Sequence, residues 1–361
     1  MSLDTLILFI MGIGVLLGAT DLILGDKWGL GSKFEEGFMC LGPTALSMVG
    51  MICIAPLIAD LLSPLIVPLY HLIGADPAMF ASILAIDMGG YPLAMALAET
   101  PLVGQFSGLI VASMLGVTMI FTIPLGLTML APTDHPYFAK GLLIGLIPIP
   151  VGAFIGGLLM KLPFKLLCLN SLPTLIIAIL LMIGLVLNQN LMVKGFIVFG
   201  KGVKILTTIG LAAAAFEYLT HFTLIPGMPD ILECMSTVSS ICIVLLGSLP
   251  LMTLLLHLFK KPFEALGHKL SLNSVSIGGI LFSFISILPV LKIYHEMNER
   301  GKVVSTAFFV SSIATFAAHL GFVVDVAPEF LLPMMIAKLS SALIAALLAL
   351  FLTRDLKKVL I

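Results

Sequence analysis

Asp87 stands alone among apolar neighbours in the run Ala85-Ile86-Asp87-Met88-Gly89-Gly90-Tyr91-Pro92. Inside a lipid bilayer an ionised carboxylate costs at least about 2.5 to 3.5 kcal/mol on insertion scales, so such a residue faces a cavity or a partner. Gly89, Gly90 and Pro92 allow a helix to break at this point and to turn backbone carbonyls and amides toward a ligand. A carboxylate beside bare carbonyls suits a small cation or an ammonium group. The same Asp-x-Gly-Gly string also reads as an ordinary turn in water.

Other ionisable residues fall within or beside apolar stretches. Glu35 and Glu36 open the second stretch, where negative charge complements the positive end of a helix dipole or supplies a second carboxylate for a cationic substrate or a coupled proton. His319, in Ala318-His319-Leu320-Gly321, reads either as a neutral core histidine or as a proton relay or substrate contact. Lys338 lies well inside the last stretch and either pairs with a carboxylate of the bundle or reaches toward headgroups. Gly14 and Gly18, and Gly152 and Gly156, have the spacing that lets helices pack closely in lipid. The five cysteines, Cys40, Cys53, Cys168, Cys234 and Cys242, have no metal-ligand spacing and read as buried thiols. No nucleophile-base pair, metal set or nucleotide loop occurs at a recognisable spacing, so neither an enzyme nor a cofactor is expected.

The elements that must position these residues are membrane helices. The chain is 60% apolar and only 10% charged, far too little polar surface for a soluble domain. Roughly nine to eleven apolar stretches of roughly 18 to 25 residues each match a hydrocarbon layer about 30 Å thick. The net charge of −1 gives no basic surface for nucleic acid. Asp4, where a secretion signal would carry Lys or Arg, marks the first stretch as a retained span. Expected spans are Leu3 to Leu24, Gly37 to Ile58, Gly104 to Leu130, Phe138 to Met160, Leu172 to Leu187, Lys201 to Leu219, Leu232 to Phe259, Val303 to Val326 and Phe330 to Leu352. Two further segments, Ala75 to Ala98 and Leu272 to Ile293, are interrupted by Gly, Ser and Pro.

A shift of about 197 residues lays the first part of the chain on the second. Glu36 then meets Glu233, Gly50 meets Gly247, His71 meets His268, Pro92 meets Pro289 and Glu99 meets Glu296. Short cytoplasmic loops are enriched in Lys and Arg. The segment Leu272 to Ile293 is flanked on both sides by basic loops, Lys260, Lys261 and Lys269 before it and Arg300 and Lys302 after it, while Ala75 to Ala98 has no Lys or Arg on either side. The reading is an all-α polytopic membrane protein with nine full spans, two re-entrant hairpins and an inverted internal repeat; eleven full spans is the alternative. Residues 1–170 form the first repeat, 171–195 a linking span and 196–361 the second repeat. Inverted repeats with broken segments meeting near the midplane are a transporter architecture.

The runs FEEGFMCLGPTALSMVGMICIAPLIA from Phe34, GADPAMFASILAIDMGGYPLAMALA from Gly74, SGLIVASMLGVTMIFTIPLGL from Ser107, TIGLAAAAFEYLTHFTLIPGMPDI from Thr208 and RGKVVSTAFFVSSIATFAAHLGF from Arg300 resemble the ethanolamine-utilisation permease family of bacteria. The similarity covers nearly the whole chain in order. It implies a multi-pass permease of the bacterial cytoplasmic membrane that takes up ethanolamine or a related small amine, with lipid as its surroundings and self-association left open. A membrane-embedded enzyme or sensor for the same amine is the competing reading. Glu36, Asp87, Gly89, Gly90, His319 and Lys338 match the family motif, and with Ser286 they form the expected substrate-binding set. The chain departs from the family pattern at Ser286-Ile287, where an Asn-Asn pair is usual, and at Ala318, where an Asp is usual.

Overall fold

The computed structural model describes residues 3–84 and 90–354, and within them every regular element is helical. Among the described residues eight helices are long and apolar enough to cross a membrane: Thr5–Ile23, Gly31–Leu72, Pro101–Met129, His135–Leu159, Phe164–Asn188, Lys194–Thr220, Ile231–Phe259 and Pro328–Leu352. They carry exposed apolar side chains such as Leu16, Leu61, Leu187 and Leu347, as helices solvated by lipid do. The chain is a multi-pass membrane protein. Asn188, at φ −155° and ψ 83°, leaves the helical region and separates the expected linking span from the helix that follows. Its side-chain carbonyl accepts from the Leu191 amide at 3.0 Å, so the interruption is capped rather than left open.

The expected span Val303 to Val326 needs correction. It is two helices, Glu299–Ser312 and Ala318–Val326, separated by a non-helical turn over 313–317 in which Ala314 takes a left-handed φ of +54°. Amides released by such a break must find partners inside the protein. The Ala314 amide donates to the Ser283 carbonyl at 3.0 Å, and the Phe316 amide to the Phe284 carbonyl at 3.1 Å.

Those acceptors belong to the second of the two interrupted segments. Its helices are Ser274–Ser283, capped by Asn273, and Ile287–Lys292, capped by Ser286. The first segment has short helices Pro77–Phe80, Ala81–Leu84 and Gly90–Leu97. Asp87 and Gly89 lie outside the described residues.

Each segment has its two ends tied together. Buried Asp76 accepts from the Ala78 amide at 2.9 Å and, at the far end of the segment, from the Glu99 and Thr100 amides at 3.3 and 2.9 Å. Asn273 donates to the Glu296 carbonyl at 2.8 Å, and Asn298 donates to the Ser271 carbonyl at 2.9 Å. In the first segment His71, just before the entry, also meets Glu99 at 2.7 Å.

Glycines set the closest helix crossings. A Cβ at Gly50 would collide with the Thr207 carbonyl, and one at Gly247 with the Met11 carbonyl. Gly14 lies against Gly247, and Gly18 against Pro250 and Phe34. Gly152 and Gly156 press the helix Ile149–Leu159 onto Ala337 of the helix Leu331–Leu352. Close packing is therefore present at both glycine pairs identified in the sequence.

Candidate functional site

The last crossing delivers Lys338 into the interior. The helix Leu331–Leu352 begins seven residues earlier, about 10 Å along the axis at 1.5 Å per residue, and Lys338 is fully buried. Burial rules out the reading in which it reaches headgroups. Gly152 and Gly156 hold this stretch by direct contact with Ala337, so the lysine is carried by a tightly packed element.

Lys338 Nζ donates to the Ser113 carbonyl at 2.6 Å and lies 2.8 Å from His319 Nδ1. Ser113 belongs to a π-helical stretch, Phe106–Gly116, and wider i→i+5 turns of this kind recur at functional sites. His319 is the second residue of the helix that restarts after the break, and it is fully buried. Its amide donates to the Ala314 carbonyl at 3.2 Å. Two N–H groups cannot hydrogen-bond to each other through their hydrogens, so at this contact one nitrogen donates and the other accepts.

Hydroxyl groups extend the polar region across neighbouring helices. Ser311 Oγ meets Ser341 Oγ at 2.7 Å, and Ser312 Oγ meets Ser283 Oγ at 3.0 Å. Thr118 donates across to the Val310 carbonyl at 3.1 Å. All of these side chains are buried. The result is a polar seam of amine, imidazole, hydroxyl and carbonyl groups that links the second broken segment, the broken crossing and the last helix. Ser113, Ser283, Ser311, Ser312 and Ser341 were not singled out from sequence; the Ser311-Ser312 and Ser340-Ser341 pairs inside apolar runs were the available signal.

The remaining expected site residues fall elsewhere. Glu36 and Ser286 line a cavity of about 630 Å³ beside the second broken segment, together with Lys33, His257, Ser274 and Lys292. His319 and Lys338 are not among its walls. Glu36 is paired with Lys33 and is half exposed. The helix carrying it starts at Gly31 and has no acid in its first turn, which corrects the reading of Glu35 and Glu36 as residues that open the span. Gly90 is buried at the start of Gly90–Leu97, where Tyr91 packs edge-on against Phe322 of the His319 helix, ring centres 5.5 Å apart. The first broken segment and the His319 helix are thus in direct contact.

A family model described as "Ethanolamine utilisation protein, EutH" matches residues 3–352. The chain belongs to the EutH family. A protein of Listeria monocytogenes serotype 1/2a (strain 10403S), named "Probable ethanolamine permease EutH", is 42% identical over 359 residues, covering 99% of this chain and 96% of the relative. "Uncharacterized protein YxeR" of Bacillus subtilis (strain 168) is 40% identical, covering 98% of this chain and 96% of its own. The Salmonella typhimurium protein of the same permease name is 36% identical, with 94% and 93% covered. No solved structure matches this EutH-family chain. The EutH match spans the broken segments, the seam and the cavity together.

Proposed function

We propose that this EutH-family chain is a permease, not an enzyme, that carries ethanolamine or a closely related small amino alcohol across the cytoplasmic membrane of a bacterium. The observation that carries the reading is the polar seam, buried where two membrane elements are interrupted. Discontinuous elements that meet inside a bundle are where transporters bind small solutes. The names of the relatives point to the same substrate class.

In this proposal Asp87, Gly89 and Gly90 receive the ammonium end, and the His319-Lys338 seam faces the hydroxyl end. Ser286 and Glu36 lie along the approach. A carboxylate at Asp87 supplies the negative charge that pairs with an ammonium.

The architecture in this reading is two inverted repeats, residues 1–170 and 196–361, joined by a linking span, each with one re-entrant segment. Support comes from the tied ends at Asp76 with Thr100 and at Asn273 with Glu296, since a segment that crossed the bilayer would hold its ends about 30 Å apart. It also comes from the shift of about 197 residues, which maps the start of Pro77–Phe80 onto that of Ser274–Ser283.

Purified protein in liposomes is expected to take up labelled ethanolamine, and Asp87→Asn to reduce that uptake to background. Full uptake by Asp87→Asn would remove Asp87 from the site.

A further inference from the structure

Two thiols meet where the first and second halves of the chain touch. Cys53 belongs to the helix Leu41–Leu72 and Cys234 to the first turn of Ile231–Leu270, helices that pack against each other, and their sulfurs lie 3.3 Å apart. A thiol is a weak donor and a weak acceptor, so in the reduced protein the pair forms one S–H···S contact. Both side chains are buried, and among the described residues no other two cysteine sulfurs stand within hydrogen-bond reach. The contact lies near one end of the bundle. Leu57, one turn beyond Cys53, lies beside Gly227 of the loop 221–230, and Cys234 follows that loop by four residues. The loop carries no Lys or Arg, whereas Lys260 and Lys261 follow the other end of the apolar stretch, which places the thiols toward the extracytoplasmic face. Thiols are kept reduced in the cytosol and are oxidised beyond the membrane.

We infer that Cys53 and Cys234 are a dithiol switch that closes to a disulfide from the extracytoplasmic side and so joins the two halves of the chain covalently. A low-molecular-weight disulfide, R–S–S–R, is the oxidant. One cysteine, as its thiolate, attacks that disulfide and releases the first RSH; the second cysteine attacks the mixed disulfide, forms the Cys53–Cys234 bond and releases the second RSH. The two cysteine sulfurs lose two electrons, R–S–S–R gains them, and both thiol protons leave on RSH. An S–S bond is about 2.05 Å long, so the sulfurs close by roughly 1.2 Å from their present separation. Neither sulfur is open to solvent, so exchange begins when the outer ends of the two helices part and is completed when they meet again. Alternating access requires the halves to move against each other, so the joined form is arrested. The arrest rests on the permease reading, and the disulfide does not.

Right-side-out membrane vesicles holding the wild-type chain are treated with oxidised glutathione, and the protein is then purified, denatured and labelled with a maleimide polymer. Five thiols are expected to label before treatment and, two being consumed, three after it; a dithiol reductant restores all five, and peptide mapping finds Cys53 joined to Cys234. Five labelled thiols after treatment, or a disulfide between any other pair, overturns the inference, and neither readout needs a variant to fold. Uptake of labelled ethanolamine by the treated vesicles is expected to fall at least about tenfold and to recover on reduction. Cys53→Ser and Cys234→Ser are expected to keep their uptake through the same treatment. Uptake that persists in protein shown to be joined overturns the switch. Wild-type vesicles that take up no ethanolamine before treatment overturn the permease reading, and the thiol count still decides whether the disulfide forms.

Discussion

At its mouth the first broken segment is closed by a carboxylate, Asp76, and the second by an amide, Asn273, at positions about 197 residues apart in chain order. Asp76 only accepts, taking amide hydrogens from its own helix start and from the segment's far end. Asn273 accepts from the Ser276 amide at 3.0 Å and donates to the Glu296 carbonyl. The same closure is thus reached with opposite hydrogen-bond polarity across the mouth. The sequences of the two halves differ in the same spirit. Under the same shift Asp87 falls on Phe284, Thr122 on His319 and Gly141 on Lys338, so the acid belongs to the first half and the bases to the second. What the two regions share is their frame, and what separates them is the sign of the chemistry they hold.

The largest test of this comparison is topological. In a cysteine-free background, Ile73→Cys and Glu99→Cys are expected to react with an impermeant maleimide from one face, and Lys269→Cys and Glu296→Cys from the opposite face. All four wild-type positions are exposed. Labelling of Ile73→Cys and Glu99→Cys from different faces would end the re-entrant reading of the first segment.

Next in size is the clamp itself. Asp76→Ala removes the acceptor of one buried and two part-buried amides, and hydrogen bonds to charged groups contribute about 1.5–3 kcal/mol each, so a loss of about 3 kcal/mol or more is expected. Thermal unfolding in detergent reads it. A change below about 1 kcal/mol would mean that the carboxylate does not hold the mouth closed.

The smallest effect concerns polarity. Asn273→Asp keeps the acceptor for Ser276 and sets a carboxylate oxygen against the Glu296 carbonyl, with an expected cost of about 1–2 kcal/mol in the same measurement. An unchanged or raised unfolding midpoint would show that the two mouths are interchangeable.

Much of this frame was legible in the sequence because it is written in apolar length and in Gly, Ser and Pro, which act locally; the caps themselves were not singled out there. Asn273, Ser286 and Asn298 cap helices in the second half, and Asp76 does so in the first. The break over 313–317 was not legible. Ile313-Ala314-Thr315-Phe316-Ala317 contains no Gly or Pro, and its amides are satisfied by carbonyls of Ser283 and Phe284, some thirty residues earlier. Of the candidate site, His319 and Lys338 were identifiable one at a time as ionisable residues in lipid. Their contact is set by the crossing of separate helices and by the π-helical turn at Ser113, neither of which leaves a periodicity to read. Glu36, an acid in a matching motif, sits in a half-exposed ion pair and lines the cavity.

The crossing of Gly14 with Gly247 also orders events during synthesis. The first helix enters the membrane roughly 230 residues before its partner has been made, an interval of roughly 10–50 s at about 5–20 residues per second. Throughout that interval Gly14 lacks the surface it finally packs on, while Gly18 already has Phe34 within reach. This helix therefore completes its Gly14 crossing late, and a ribosome that stalls before Ile231–Leu270 leaves that crossing unmade.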